Sequence, residues 1–282
     1  MKVLITGSGG QLGRALAKTA PSNYNVCACD RSVLDIANRE MVLSTLHHLK
    51  PDVIVNSAAY TAVDRAENDA ETAYEINATG VRHLVEAAGE VGAKIVQVST
   101  DFVFSGGASE PYSPNAATGP LGVYGKSKLE GENALRTGDL LVRTAWVYDA
   151  EGANFPNTML RLFAERDSVS VVCDQIGTPT FAKDLAAGIW QLAGLDARGA
   201  FHFTNSGVTS WYDFAVAIKE EALSFGLLTS DVSIHPILSK DYPTPAARPH
   251  YSVLNCFDTY KLIGEPARHW RSALRDALKE KI

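Results

Sequence analysis

The stretch Met1-Lys2-Val3-Leu4-Ile5-Thr6-Gly7-Ser8-Gly9-Gly10-Gln11-Leu12-Gly13 opens the chain and decides its fold. An apolar strand runs directly into a glycine-rich turn, and a helical pattern follows. The spacing G-x-x-G-x-x-G is a variant of the dinucleotide fingerprint: the first glycine makes a tight turn, the second lets the backbone approach a pyrophosphate, and the third permits close helix packing. The free amides of a helix N-terminus and its partial positive charge favour phosphates. The predicted cofactor ligands in this turn are Gly7, Gly10, Gln11, Leu12 and Gly13.

Asp30 stands 20 residues after Gly10, at the end of the second predicted strand, where an acid usually meets the adenosine ribose. Its carboxylate repels a 2′-phosphate and favours NADH, whereas Arg31 beside it suits the 2′-phosphate of NADPH. These two residues therefore leave the choice between NADH and NADPH open. Asp35, which is followed by Ile36, is predicted either to hydrogen-bond the adenine amino group or to cap the next helix.

Short apolar runs alternate with helical patterns along the first half of the chain. The runs lack strict alternation of apolar and polar residues, as expected of strands that are covered on both faces. Strands are predicted at residues 3–5, 26–28, 53–55, 95–98 and 140–142, and helices at 11–19, 39–49, 70–89 and 124–136. This order predicts an α/β fold with a doubly wound parallel sheet of the Rossmann type, whose ligands bind at the carboxyl ends of the strands.

The pattern becomes less regular beyond residue 150. Helices are predicted at 155–165, 181–192 and 211–225 and a strand at 169–172, while residues 229–250 hold four prolines and are predicted to be loop with little helix. We expect residues 1–150 to form a dinucleotide-binding domain. Residues 151–282 are expected to form mainly a smaller, interleaved substrate-binding region, with segments that return to the sheet.

Composition excludes several classes of protein. A net charge of −6 and a pI of about 5.7 disfavour nucleic acid and anionic membranes as partners. The first apolar run is too short for a signal peptide, and no segment approaches the roughly 20 apolar residues of a membrane span. The four cysteines form no CxxC pair, which favours reduced thiols and a cytosolic location, and the seven histidines lack the spacing of a catalytic metal site.

Tyr124 and Lys128 form a Y-x-x-x-K pair, whose members lie one helical turn apart on the same face. Reducing a ketone requires a hydride and a proton delivered to the developing alkoxide. A free tyrosine, with a pKa of about 10, is a poor acid near neutral pH, and a nearby ammonium lowers that pKa. The pair therefore predicts a proton donor and its modulator, although a solvated helix face that happens to carry a lysine gives the same pattern.

Ser99-Thr100-Asp101 follows the predicted strand at 95–98, at the sheet edge where ligands bind. A hydroxyl at this place can share the substrate carbonyl with Tyr124 and polarise it. Serine, threonine and aspartate also favour ordinary turns after a strand, so the segment alone leaves both interpretations open.

The combination of these motifs resembles the dTDP-4-dehydrorhamnose reductase family, within the extended short-chain dehydrogenase/reductase superfamily. Besides the glycine turn, the likeness covers Val98-Ser99-Thr100-Asp101-Phe102-Val103-Phe104 and Val123-Tyr124-Gly125-Lys126-Ser127-Lys128-Leu129-Glu130-Gly131-Glu132. It continues through Asn56-Ser57-Ala58-Ala59-Tyr60-Thr61-Ala62-Val63-Asp64, Arg143-Thr144-Ala145-Trp146-Val147-Tyr148, Asn154-Phe155, Asp174-Gln175-Ile176-Gly177-Thr178-Pro179-Thr180 and Ala247-Arg248-Pro249-His250-Tyr251-Ser252. These segments span nearly the whole chain in the family's order.

The resemblance implies NAD(P)H-dependent reduction of the C4 keto group of dTDP-4-dehydro-L-rhamnose, with nucleotide sugar as the small-molecule partner. Its catalytic residues would be Tyr124, Lys128 and Thr100, and its further cofactor ligands Ala59, Tyr60 and Thr61. The substrate would be contacted by Thr100, Asp101, Trp146, Asn154 and Arg248, the last of these pairing with the diphosphate. Asn77 matches an asparagine that the superfamily uses in a proton relay. Trp146 as a core residue and Asn77 as a packing group are the alternatives.

One departure from the family's sequence pattern concerns dimerisation. Some members of the family dimerise through magnesium held by glutamates, one of them two residues after the third glycine, where this chain has Ala15. The resemblance then implies a monomer or weak homodimer without metal. Two further functions stay open: another sugar-nucleotide epimerase, dehydratase or reductase, and a non-catalytic NADP-binding regulatory subunit of the methionine adenosyltransferase type.

Overall fold

Short apolar segments become the strands of a parallel sheet because helices cover both of its faces. The computed structural model describes all residues, 1–282. Its strands are β1 (Lys2–Thr6), β2 (Asn25–Cys29), β3 (Val53–Asn56), β4 (Lys94–Thr100), β5 (Leu140–Thr144), β6 (Val147–Tyr148), β7 (Ser168–Val172), β8 (Ile176–Gly177), β9 (Thr180–Phe181), β10 (Gly199–His202), β11 (Thr209–Ser210) and β12 (Ser233–Ile237). Six of them form the central sheet in the order β10-β5-β4-β3-β1-β2, with every pairing parallel. The predicted doubly wound sheet is confirmed.

The helices are α1 (Gln11–Lys18), α2 (Arg39–Leu49), α3 (Val63–Ala66), α4 (Ala70–Tyr74), α5 (Gly80–Val91), α6 (Val123–Glu132), α7 (Phe155–Glu165), α8 (Ala182–Gly194), α9 (Trp211–Ser224), α10 (Phe257–Ile263) and α11 (Trp270–Lys279). The helical stretch predicted over residues 70–89 is confirmed, with one irregularity inside it. A π-helical turn, Glu75–Thr79, separates α4 from α5. The buried side chain of Asn77 lies in this turn and bonds to groups outside the helix, which a sequence periodicity does not report.

Successive residues of each strand point to opposite faces of the sheet, and each face has its own core. Val3 and Ile5 pack with Leu16 and the α8 residue Ile189 on one face. Leu4 packs with residues of α2 and α5, including Leu46, on the other. Because the chain passes from β1 to β2 on one side and then to β3 on the other, the connections diverge at β1. They leave a crevice at the carboxyl ends of these strands.

A third core lies beyond the sheet. Phe163 of α7, Phe214 of α9, and Trp270 and Leu274 of α11 are buried together over the parallel pair β7 and β12. The prediction of loop for residues 229–250 is wrong over β12, which holds Pro236. A proline is tolerated there because β12 is an edge strand that pairs with β7 alone. None of the helices is long and apolar enough to cross a bilayer.

Segments from the C-terminal half return to the sheet. Strand β10 pairs with β5 and thus extends the sheet at its edge, and α8 packs against α1. The expected division of the chain at residue 150 stays a prediction.

Gly13 gives the first stability test. A Cβ added there would lie 2.3 Å from the Gly7 carbonyl oxygen and 2.6 Å from the Ser8 Cα, so backbone atoms would have to move. We expect Gly13→Ala to lower the free energy of unfolding by about 1–3 kcal/mol, as overpacking does, and to lower the melting temperature. The matched control is Gly138→Ala, because no atom lies within 4 Å of its added Cβ. Equal melting temperatures for the Gly13 variant and the parent protein would contradict the close packing of the glycine turn on α1.

Candidate active site

A cavity of about 830 Å³ lies at the carboxyl ends of the sheet strands. It brings together residues that are far apart in the chain, because parallel strands end at the same edge of the sheet. The predicted site residues that line it are Gly7, Gly10, Gln11, Leu12, Gly13, Asp30, Arg31, Asp35, Ile36, Ala59, Thr61, Thr100, Asp101, Tyr124, Lys128, Trp146 and Arg248.

The glycine turn forms one wall of the cavity. Gly7 has a φ of +68°, and a Cβ there would come within 2.6 Å of the Ala58 backbone, so this position requires glycine. Gly10 begins α1 in an extended conformation without a side-chain cap, so the first amides of the helix have no side-chain acceptor. Such a cradle of backbone amides at a helix N-terminus fits the pyrophosphate of a dinucleotide.

The turn after β2 contains two acids and a guanidinium. The Asp30 carboxylate accepts hydrogen bonds from the Ser32 hydroxyl at 2.6 Å and the Ser32 amide at 2.9 Å, which lower its pKa and keep it ionised. The guanidinium of Arg31 bonds to the Asp35 carboxylate at 3.1 Å. The alternative in which Asp35 caps the next helix is wrong, because Asn38 caps α2 by accepting the Met41 amide at 3.0 Å.

Helix α6 carries Tyr124 and Lys128 into the lining of the cavity. The Lys128 ammonium is buried and donates to the Val98 carbonyl at the end of β4, over 2.8 Å. Burial lowers the pKa of Lys128 to about 8, and the nearby Glu132 opposes this shift. Burial raises the pKa of Tyr124 to about 12, against the effect of its hydrogen bond with Thr100. At neutral pH the phenol therefore holds its proton and the amine is charged.

Thr100 and Asp101 end β4 beside Tyr124. The Thr100 hydroxyl donates to one Asp101 carboxylate oxygen at 2.9 Å and accepts the Phe102 amide at 3.2 Å. The other carboxylate oxygen of Asp101 is buried without a hydrogen-bond partner. Burial raises the pKa of Asp101 to about 6, although the nearby Ser252 hydroxyl and the hydrogen bond from Thr100 oppose this shift. A carboxyl with this pKa changes between acceptor and donor near neutral pH.

Two tryptophans in the lining of the cavity form an aromatic stack. Trp146 adopts a left-handed φ of +49° and stacks on Trp211, with ring centroids 3.5 Å apart and planes 5° from parallel. Both rings line the cavity and neither is fully buried, so Trp146 is not a closed core residue. Trp211 was not predicted as a site residue. It is the first residue of α9, and nothing in its local sequence distinguishes it from a helix-packing aromatic.

Tyr60 and Asn154 lie outside the cavity lining. The Tyr60 amide donates to the Asn77 side chain at 2.9 Å, and its hydroxyl donates to Asp69 at 3.0 Å. The predicted cofactor contact of Tyr60 stays a prediction. Asn77 also donates to the Ser127 hydroxyl of α6 at 3.0 Å, as a buried packing group would.

Asn154 caps α7 by accepting the Asn157 amide at 3.0 Å. Its side-chain nitrogen donates to the Gln11 side chain at 2.8 Å and to the Asp149 carbonyl at 2.8 Å. Asn154 thus contacts the glycine turn, and its predicted contact with the substrate stays a prediction. The capping role of Asn154 follows from its position directly before α7 in the sequence. Its contact with Gln11, 143 residues away in the chain, depends on the tertiary fold.

Arg248 reaches the cavity from the segment that follows β12. Its two terminal nitrogens donate to the two carboxylate oxygens of Asp64 at 2.9 and 2.8 Å, and this bonding lowers the pKa of Asp64. A metal site is a separate question. The structure contains no group of three or more His, Cys, Asp or Glu side chains arranged to hold a metal ion.

Comparison with known proteins agrees with this geometry over the full chain. Residues 1–282 match the family described as RmlD substrate binding domain. A dTDP-4-dehydrorhamnose reductase of Aggregatibacter actinomycetemcomitans is 44% identical over 98% of this chain and 97% of its own length. A crystal structure of such a reductase from Clostridium acetobutylicum superposes with a TM-score of 0.94 at 42% identity, covering 100% of this chain and 99% of the other. The Bacillus anthracis reductase, solved in complex with NADP, gives a TM-score of 0.92 at 37% identity with 99% of each chain covered. The chain therefore belongs to the dTDP-4-dehydrorhamnose reductase family.

Proposed function

We propose that this chain reduces the C4 keto group of dTDP-4-dehydro-L-rhamnose with NADH or NADPH, giving dTDP-L-rhamnose. The observation that carries the proposal is the meeting of Tyr124, Lys128 and Thr100 in one cavity with the glycine turn. The names of the relatives at about 40% identity support the same reaction.

The chain's own groups fit a nicotinamide dinucleotide. The amides of the glycine turn would hold the pyrophosphate, and the ionised Asp30 would accept from the adenosine ribose. When bound, the nicotinamide supplies the hydride that reaches the carbonyl carbon of the sugar. Asp30 favours NADH, and Arg31, which is largely exposed, is available for the extra phosphate of NADPH, the cofactor seen in the B. anthracis relative.

Tyr124 supplies the proton in this proposal. As the hydride reaches the carbonyl carbon, the carbonyl oxygen gains negative charge, and the phenol transfers its proton to that oxygen to complete the alcohol. The Lys128 ammonium stabilises the phenolate that remains, in a site where burial strengthens their attraction. Thr100 hydrogen-bonds the same carbonyl oxygen and polarises it. Its hydroxyl is free to do so when protonated Asp101 takes over as the donor between them.

The remaining groups would bind the nucleotide sugar. Trp146 and its partner Trp211 offer an apolar face to the sugar or its base, and Arg248 offers N–H donors to the diphosphate. We propose that residues 1–150 bind mainly the cofactor and residues 151–282 mainly this substrate. We also propose a cytosolic monomer or weak homodimer; the support is four cysteines without a disulfide and Ala15 in place of a metal-binding glutamate.

Cofactor oxidation with a panel of nucleotide-linked 4-keto-sugars tests the reaction. We expect one NAD(P)H to be oxidised for each dTDP-4-dehydro-L-rhamnose consumed. Turnover of the sugar without net oxidation would instead show an epimerase or dehydratase that regenerates its cofactor. Absence of all turnover, together with one stoichiometric protein partner, would show a regulatory subunit.

Tyr124→Phe removes the proposed proton donor and keeps the ring. We expect kcat to fall by about 10²- to 10⁴-fold, the usual contribution of general acid catalysis, while cofactor binding followed by fluorescence is retained. The control is Tyr74→Phe, because Tyr74 is exposed on α4, away from the cavity. A Tyr124→Phe enzyme with near-parental kcat would refute the assignment.

The pH dependence of kcat/KM for the cofactor reports ionisations of the free enzyme. Lys128 is charged below its pKa of about 8, so we expect kcat/KM to fall as the pH rises through about 8. Lys128→Met should abolish this limb along with most activity. Lys126→Met on the exposed face of α6 should keep it, and a profile flat through pH 8 in the parent enzyme would contradict the assignment.

A further inference from the structure

Helix α3 is a single turn, and two acids, Asp64 within it and Glu67 directly after it, contact two different parts of the site. Neither acid is assigned a role by the chemistry above. Asp64 contacts the segment that carries Arg248, and Glu67 contacts the helix that carries Tyr124. The turn thus joins two groups of the cavity, Tyr124 and Arg248, that are far apart in the chain.

The contact at Asp64 holds the guanidinium in a bidentate pair. Oδ1 accepts from one Arg248 terminal nitrogen at 2.9 Å, Oδ2 accepts from the other at 2.8 Å, and Oδ1 also accepts the Ala246 amide at 3.2 Å. A fork-to-fork pair fixes the plane of the guanidinium as well as its position. Arg248 retains further N–H donors, and it lines the cavity.

The contact at Glu67 holds the start of α6. Oε1 accepts the Val123 amide at 2.8 Å, directly before Tyr124 in the chain. Gly122, which precedes the helix, leaves room for this carboxylate, since a Cβ there would lie 2.5 Å from Oε1. The helix has no other side-chain cap at this end. The negative carboxylate also suits the partial positive charge of a helix N-terminus.

We propose that α3 is a spacer that fixes the separation of Arg248 from Tyr124, with Asp64 and Glu67 as its two positioning residues. The proposal rests on the function proposed above, in which one of these groups binds the diphosphate and the other protonates the sugar. A sugar held by its diphosphate presents its carbonyl to the phenol only if this separation matches the substrate. A misplacement of about 1 Å can cost on the order of 100-fold in rate.

The negative charge of Asp64 acts against binding of an anionic substrate, whereas its hydrogen bonds to Arg248 favour that binding. Its carboxylate neutralises Arg248, and removing that negative charge would by itself favour an anionic substrate. The pair is partly exposed, with 42% of the Asp64 side chain and 24% of the Arg248 side chain accessible to water. Water therefore screens the charge, and the fixed direction of the guanidinium dominates.

Steady-state kinetics separate the two ends of the spacer. We expect Asp64→Asn to raise KM for the nucleotide sugar roughly tenfold with kcat within about twofold, as loss of oriented binding predicts. Glu67→Ala should lower kcat roughly tenfold and leave KM nearly unchanged, since it displaces the proton donor. Glu67→Gln keeps an oxygen acceptor for the Val123 amide and should restore most of the activity. The control is Glu71→Gln, an exposed acid of α4 with no side-chain partner, which should match the parent enzyme.

A double-mutant cycle distinguishes positioning from general destabilisation. Asp64 acts through Arg248, so Asp64→Asn should have no further effect on KM in an Arg248→Ala background, whereas Glu67→Ala should keep its full effect there. An undiminished Asp64→Asn effect in that background would overturn the proposal. So would a fall in KM for Asp64→Asn, or a Glu67→Gln enzyme as defective as Glu67→Ala.

Binding of dTDP measured by calorimetry gives a readout that does not need turnover. We expect Asp64→Asn to weaken dTDP binding and Glu67→Ala to leave it unchanged, with melting temperatures recorded for each variant. If the parent enzyme oxidises no NAD(P)H but Asp64→Asn still weakens dTDP binding, the proposed reaction fails and the anchoring of Arg248 stands. If the parent enzyme is active and dTDP affinity and KM are both unaffected by Asp64→Asn, the spacer fails and the reaction stands.

Discussion

The buried ammonium of Lys128 is the constraint on which the site depends. A charge out of water is unfavourable unless it is hydrogen-bonded or paired, so α6 must lie close enough to β4 for the Val98 carbonyl to accept from it. Two glycines of α6 permit that approach. A Cβ on Gly125 would lie 2.2 Å from the Phe102 carbonyl oxygen, and one on Gly131 would lie 2.1 Å from the Asn77 carbonyl oxygen.

The same burial sets the acid–base character of the neighbours. It lowers the pKa of the amine and raises the pKa of the phenol and of the Asp101 carboxyl, each toward its uncharged form. At neutral pH, Lys128 is still charged because its pKa of about 8 lies above that pH, and the phenol beside it holds its proton. The buried pair of Arg143 with Glu132 lies one turn beyond Lys128 and joins the end of α6 to β5. The proton donor is thus held from both ends of its helix.

Several elements could be predicted closely from the sequence because their signals are local. The predicted helices at 39–49 and 155–165 agree with α2 and α7, each of which begins after an asparagine that caps it. The apolar runs predicted as strands lie within β1 to β5. The π-helical turn at Glu75–Thr79 and the strand β12 were not foreseen, since each depends on partners distant in the chain: Tyr60 and Ser127 for the first, β7 for the second.

The sequence by itself determined the parallel α/β architecture, the glycine turn and the helical pair of Tyr124 and Lys128, because strand, turn and helix preferences act over a few neighbouring residues. The tertiary structure alone decided which polar groups share the cavity. It stacked Trp146 on Trp211, placed Asn154 on Gln11 instead of in the cavity, and tied Arg248 to Asp64 across 184 residues. Contacts of this kind depend on where strands end and helices cross in the folded protein. The spacing of residues along the chain therefore does not predict them.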